Sequence, residues 1–573
     1  MAAVRLAWAK PLAARPPERS SVLLGLLTLA MSFVVLYPIG LILSSSVLVA
    51  GADGSAHLTL DAWRRAFTQP GLLESIVNTA KVVVAVQAIS FPLAILLAWL
   101  LARTDLPGSS WLEVGFWLSF LMPALGTTTG WILLLAPDYG LLNQLALKLG
   151  LPAGPFNVYS YWGIVFAHLA TYSISIKVML LTPAFRNLDA SLEEASRVCG
   201  ANSLRSLWHV GVPLLTPLLL VTFLMSLIRG LEAFEIELVL GTPIGFAVYS
   251  TKIYQLLRSS PPDYASATVL GALVLALLIP LVALERWTST RRSYVTVTGQ
   301  QRRGVLELGA WRWPAFGLVL AFVLFLTALP ISFQAMGSLM TLFGFFDVPQ
   351  VWTTRHWERA LADPTLLRGL ANSVVLGAAT VVAALVVYSL VAYCSVRLRQ
   401  RWRVALDLLA WLPFAIPGVI LGLGYLRFAL AIPLVRPLYG TIWVLVFVCW
   451  LAAMTLGVQI CKSGILQLSV QLEEAGYVVG GSWLRTFRTI VVPLLSPTLL
   501  VLAVMVFAVT VRQVSTIVLL TTGPSTPLAV LQLELLYGAE LGPAAVVGTL
   551  IVLLSSGVAL AARLLGLRVG ARQ

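Results

Sequence analysis

Residues 192–217 read LEEASRVCGANSLRSLWHVGVPLLTP, and residues 472–497 read LEEAGYVVGGSWLRTFRTIVVPLLSP. In the first, Asp189 or Ser191 suits the N-cap of a short helix, with Ser191 and Glu194 at capping-box spacing. Gly200 suits its end, Asn202 or Ser203 caps the next helix, and Pro213 separates that helix from the apolar run beyond. The second copy keeps Gly480, a capping-competent Ser482 and Pro493, while Gln471 replaces Ser191. Each copy reads as helix, sharp turn, helix, with apolar Leu192, Ala195 and Val198 beside Glu193 and Glu194 in the first. Repeated at two matching positions, such a surface suits a twofold-symmetric partner.

The surroundings of these polar segments are membrane sequence. The chain has 573 residues, 59% hydrophobic and 11% charged, a balance that a water-exposed surface does not produce. A net charge of +14 then reflects Lys and Arg held in cytoplasmic loops, since no basic stripe interleaved with aromatics lies outside the apolar runs to suggest nucleic acid. Cys199, Cys394, Cys449 and Cys461 have no ligand spacing and read as small buried hydrophobes. His57, His168, His209 and His356 are scattered, and no metal site is expected. The run from about Ser21 to Ala50 is too long for a signal peptide core and reads as a first transmembrane helix.

Apolar runs long enough to cross a bilayer begin near Ser21, Leu72, Trp111, Tyr159, Pro213 and Tyr264, and again near Trp313, Leu366, Val404, Arg436, Pro493 and Leu541. The expectation is an all-α integral membrane protein of about twelve transmembrane helices in two duplicated six-helix halves. WRRAFTQPGLLESIVNT from Trp63 aligns with WERALADPTLLRGLANS from Trp357, matching Pro70 to Pro364 and Asn78 to Asn372. WLSFLMPALGTTTGW from Trp117 aligns with WLPFAIPGVILGLGY from Trp411, matching Pro123 to Pro417 and Gly130 to Gly424. The offset is 294 residues there and 280 at the polar segments, so the first half holds about fourteen extra residues, best placed in PDYGLLNQLALKLGLPAGP. Even-numbered halves make a parallel repeat. The boundaries read 1–287 for the first half, 288–312 for a basic cytoplasmic linker and 313–573 for the second half, with the polar loops at 189–213 and 469–493.

Arg5, Lys10, Arg15 and Arg19 precede the first span, and alternation puts Arg291, Arg292, Arg302, Arg303, Arg397, Arg399, Arg401, Arg403, Arg563, Arg568 and Arg572 on the same side. Both termini and both polar loops are therefore expected in the cytoplasm.

Glu194-Ala195-Ser196, Gly200, Val210 and Pro213 resemble the EAA loop of binding-protein-dependent ABC importer permeases: EAA, three residues, Gly, nine residues, Ile, two residues, Pro. Glu474-Ala475-Gly476, Gly480, Ile490 and Pro493 match it a second time. Ser196 and Gly476 depart from the third Ala, and Val210 departs from Ile. The resemblance implies the type I (MetI-like) importer fold. It also implies that Glu193, Glu194, Ala195, Gly200, Arg205, Pro213, Glu473, Glu474, Ala475, Gly480, Arg485 and Pro493 couple the chain to a separate homodimeric ATPase. The chain has no G-x-x-x-x-G-K-[ST] loop, so ATP and magnesium are expected on that partner, with no cofactor on this chain and no catalysis by it.

Span five carries IRGLEAFEIEL, with Arg229, Glu232, Glu235 and Glu237. Glu232 lies about 28 Å along the helix from Pro213, and at the 280 offset it corresponds to Arg512, which precedes Gln513. Glu232 and Arg512 pair across the axis as an outer gate, or each pairs or snorkels within its own half. The three glutamates do not share one helical face. LEAFEIELVLGTP and VRQVSTIVLLTTGPSTP resemble fused two-domain permeases of the ferric-iron importer group, which implies iron(III) brought by a periplasmic binding protein. Thiamine, polyamines, phosphonates and sugar phosphates are the alternative cargoes of such permeases. A secondary transporter is the other class, and it has no use for two EAA loops.

Overall fold

The computed structural model describes residues 18–50, 56–291, 305–397 and 400–564. Arg5, Lys10, Arg15, Arg292, Arg302, Arg303, Arg399, Arg568 and Arg572, with residues 292–304 of the linker, lie outside them. Among the described residues ten helices are long and apolar enough to cross a membrane. Two helix pairs, Ser109–Leu121 with Ala124–Leu135 and Arg403–Ala415 with Gly418–Ala431, bring the number to twelve if each is one span. Among the described residues the protein is thus all-α but for a small hairpin, Leu48–Ala50 against Ala56–Leu58, and two isolated bridges.

The third span of each half is not the straight rod that hydropathy suggests. It bends by 97° in the first half and by 110° in the second. Pro123 and Pro417 stand at the bends, and proline drives the preceding residue out of the helical region. Met122 accordingly has φ −69°, ψ 141°, and Ile416 has φ −99°, ψ 123°. The fourth span, Tyr161–Arg186, is also interrupted: Leu169–Ser173 forms a wide turn with Thr171 at φ −100°, ψ −126°. The buried ammonium of Lys177 donates to the Ser173 carbonyl at 3.0 Å and to the Ser90 hydroxyl at 2.9 Å.

The first span of each half packs on the bent third span of the other half. Glu18–Ser45 lies along Gly418–Ala431, and the Tyr425 hydroxyl donates to the Val34 carbonyl at 2.9 Å. Gly309–Ser338 lies along Ala124–Leu135. Gly130 and Gly424 permit both approaches: a Cβ on Gly130 would sit 2.0 Å from the Pro330 carbonyl oxygen, and one on Gly424 would sit 3.0 Å from Ile42 Cδ1. One hydrophobic core therefore runs from Met31 to Ile551 through both halves. Outward, Val375, Val382 and Val386 are exposed along one face of the eighth span, Pro364–Arg397, as a lipid-facing stripe.

The extra residues of the first half form the helix Leu141–Lys148. Its buried Asn143 holds the loop closed, donating to the Ala136 and Phe156 carbonyls and accepting from the Phe156 N–H at 2.8–2.9 Å. Gln144 donates to the Gly344 carbonyl at 2.5 Å, which fastens this insertion to the second half.

Candidate functional site

The two polar segments fold alike. Asp189 caps the helix Ala190–Val198 by accepting from the Ser191 N–H at 3.0 Å, and Ser469 caps Val470–Val478 by accepting from the Gln471 N–H at 3.3 Å. Those bonds from Ser191 hold the Asp189 carboxyl below the ordinary carboxylate range. Of the two first-helix caps read from sequence, Asp189 is the one used. The chain then turns at Gly200, φ +84°, and Gly480, φ +80°, where a side chain would strain the backbone. Asn202 and Ser482 cap the next helical segment of each copy, accepting from the Arg205 and Arg485 N–H groups at 2.8 and 3.4 Å.

That segment is not a separate helix ended by proline, as the sequence suggests. Ser203–Gly230 and Trp483–Val511 each run on as one span, passing Pro213 and Pro493 through the π turns Leu207–Gly211 and Phe487–Val491. The wider turn makes room where a proline ring would collide with an α-helical carbonyl.

The first glutamate of each LEEA anchors the loop. Glu193 is buried and receives Arg103 Nε at 3.2 Å on both oxygens and Nη2 at 2.8 Å, while Nη1 donates to the Leu188 carbonyl at 3.0 Å. Arg397 repeats this on Glu473 at 2.9 Å and on the Leu468 carbonyl at 3.0 Å, with the Tyr393 hydroxyl on the second carboxylate oxygen at 2.6 Å. The clamp turns Glu194, Ala195, Arg205, Ala475 and Arg485 outward, with Glu474 half-exposed. Val198 is 90% exposed and Val478 87%, so each loop presents an apolar tip. Pro213 and Pro493 are exposed at the base. A Cβ on Gly476 would lie 2.9 Å from Ile490 Cδ1. Gly476, which stands where the first half has Ser196, thus leaves room for Ile490, which stands where the first half has Val210.

A second set of polar groups lies at the far ends of the same spans. Arg229 is ion-paired with Glu232 in the adjoining turn and stands 4.3 Å above the Phe414 ring of the other half. Arg512 donates to the Phe120 and Met122 carbonyls at 2.5 and 2.9 Å and stands 5.2 Å from the Phe120 ring. Among the described residues no ion pair joins Glu232 to Arg512: Glu232 pairs with Arg229 of its own half, and Arg512 is held by the Phe120 and Met122 carbonyls. Tyr172 and Glu235 lie within electrostatic range of this group. Gln513 bonds locally to Thr516 at 2.5 Å. Glu237 turns away into the protein, where His168 Nε2 meets it at 2.5 Å, a pairing that the separated positions do not reveal in sequence. Among the described residues no three His, Cys, Asp or Glu side chains are placed to hold a metal.

Residues 381–570 match the family described as binding-protein-dependent transport system inner membrane component. A protein of Prototheca wickerhamii named as a sulfate transport system permease, cysT, is 30% identical over 192 residues, covering 33% of this chain and 72% of that protein. The chain belongs to this permease family. A ferric transport system permease protein of Haemophilus influenzae, FbpB 1, is 32% identical over 64% of the chain, and one of Actinobacillus pleuropneumoniae, FbpB, is 30% identical over 70%. The matches span 57% and 58% of the length of those two relatives. In this permease, a multi-pass inner-membrane protein, the family match holds the second loop. The first loop lies outside it and repeats its caps, glycine, clamp and π turn.

Proposed function

We propose that this permease is the membrane-spanning part of an ATP-driven importer, and that its cargo is iron(III). A substrate-binding protein delivers the cargo on the outer side. A separate homodimeric ATPase, which carries ATP and magnesium, docks on Ala190–Val198 and Val470–Val478 from the cytoplasm. Both termini and the basic linker 288–312 face the ATPase side, dividing the chain into halves 1–287 and 313–573. The observation that carries this reading is the matched pair of loops, each anchored by a buried Arg–Glu clamp and ending in an exposed valine. Two equal apolar tips on rigid anchors suit the two equal subunits of a dimer. Iron(III) is favoured by the relatives named as ferric transport permeases.

In this mechanism the ATPase dimer closes on ATP and moves both loops together. Each docking helix joins Ser203–Gly230 or Trp483–Val511 through the tight turn at Gly200 or Gly480, so its displacement travels roughly 40 Å, at 1.5 Å per residue, along the span to Arg229 and Arg512. Arg229, Glu232, Glu235, Arg512 and Gln513 line the pathway there, while Glu237 is withdrawn onto His168.

The test reconstitutes the permease with its cognate ATPase in nanodiscs and adds the binding protein loaded with iron(III), thiamine or a phosphonate. Stimulation by the iron-loaded form alone, abolished by Val198→Asp with Val478→Asp, is the expected result. Stimulation by another loaded form reassigns the cargo. An ATPase that neither binds nor responds overturns the coupling.

A further inference from the structure

Phe120 and Phe414 are equivalent residues of the two halves, 294 positions apart, each three residues before the proline that bends its third span. Each ring is met by an arginine of the opposite half: Arg512 at 5.2 Å from Phe120, and Arg229 at 4.3 Å from Phe414. The arginines themselves are not equivalent, since Arg512 corresponds to Glu232 and Arg229 to Val509 at the 280 offset. Two different positions thus converge on one matched pair of rings.

Their other contacts show how each charge is held. The bend at Pro123 leaves the carbonyls of Phe120 and Met122 to be satisfied from outside the helix, and Arg512 donates to both. The corresponding turn of the second half, Leu412–Ala415, closes in the same way as the first, Ile416 N–H donating to the Pro413 carbonyl as Met122 N–H donates to the Ser119 carbonyl. There the arginine pairs with a carboxylate of its own half, Glu232, in place of the carbonyls of the bend. In both places the guanidinium carbon stays within cation–π range of the ring.

We propose that these two arginine–ring contacts, Arg512 on Phe120 and Arg229 on Phe414, are the seal that closes the pathway between the halves at rest. They cross the interface in opposite directions, so separating the halves breaks both. Both arginines stand at the far ends of the spans that begin at the loops, so one displacement releases both. Phe120 and Phe414 are then positioning residues of the transport cycle. This rests on reading the chain as a permease with a central pathway.

The test uses the full chain with the exposed Cys199 replaced by alanine and Tyr172→Cys as reporter beside the arginines. A membrane-impermeant trimethylammonium methanethiosulfonate is applied to right-side-out and inside-out vesicles. The expected result is labelling from one face only, with labelling from the second face rising at least tenfold in Phe120→Ala with Phe414→Ala. Phe120→Tyr with Phe414→Tyr keeps the seal, and Phe120→Leu with Phe414→Leu, which retains bulk without a π face, opens it. Labelling of the parent from both faces, or a leucine pair that seals as well as phenylalanine, overturns the proposal. No ATPase is needed, so a failure of ATPase docking appears in the nanodisc assay and leaves this readout intact.

Discussion

Arg103 holds Glu193 in a two-pronged ion pair whose side chains are 2% and 11% exposed, and 294 and 280 residues further on Arg397 holds Glu473 by one prong while the Tyr393 hydroxyl takes the second carboxylate oxygen. Each arginine ends the second span of its half and also binds the carbonyl that precedes the loop, at Leu188 or Leu468. The outward glutamate and the apolar tip are therefore presented by a clamp, not by the loop alone.

Breaking that clamp from one side leaves a charge buried without its partner. Glu193→Ala is expected to destabilise the protein by about 3–5 kcal/mol. Arg103→Met with Glu193→Leu is expected to recover most of the loss. Thermal unfolding of the detergent-purified single and double variants decides this, and equal losses in single and double variants would contradict the clamp.

The caps predict a difference between the loops under acid. Asp189 has a depressed pKa when folded, so its cap is present above the unfolded carboxyl pKa and is lost as pH falls through the folded value. Ser469 has no charge to lose. Hydrogen exchange, corrected for its intrinsic pH dependence, should show residues 190–198 loosening on acidification while 470–478 keep their protection. Asn202→Ala, which removes a cap that does not titrate, is expected to cost about 1 kcal/mol at every pH.

His168 and Glu237 form a buried pair in which the second carboxylate oxygen has no partner. His168→Leu leaves the buried carboxyl without its hydrogen-bond partner, and a loss of about 1–3 kcal/mol is expected. His168→Leu with Glu237→Leu should be milder than His168→Leu alone. Folded yield after extraction, compared across the three variants, reads this directly.

The paired glycines separate by what lies opposite them. Gly130→Ala drives a methyl group into the Pro330 backbone, which cannot yield as a side chain can, and a loss of about 1–3 kcal/mol with weakened packing between the halves is expected. Gly424→Ala meets the end of Ile42 and should cost less than half as much. Melting temperatures of the two variants provide the comparison.

Much of this is legible in the sequence because it depends on residue type. Length and hydropathy give the number of spans, and caps and left-handed glycines demand particular side chains at Asp189, Gly200, Asn202, Gly480 and Ser482. Direction is not legible: Pro123 and Pro417 stand in unbroken apolar runs, and hydropathy does not register a right-angle bend. Partners are not legible either. In sequence Arg397 is one basic residue among many and nothing marks Arg103, although they share the offset of Asn78 and Asn372. Glu232 and Arg512 match by register, yet matching positions are not adjacent positions, and Arg229 lies closer. Phe120 and Phe414 occupy aligned segments with no arginine near them in sequence to mark them.

The π turns at Leu207–Gly211 and Phe487–Val491 carry one further meaning. A π turn holds one residue more than the α-helix around it, and one residue is about 100° of rotation. Each of the two spans is therefore set in phase by a single surplus residue between its polar loop and its far end. Deleting one residue from either turn would leave the loop intact and point Arg229 or Arg512 away from its ring. The equal spacing from Gly200 to Pro213 and from Gly480 to Pro493 keeps the two halves in step.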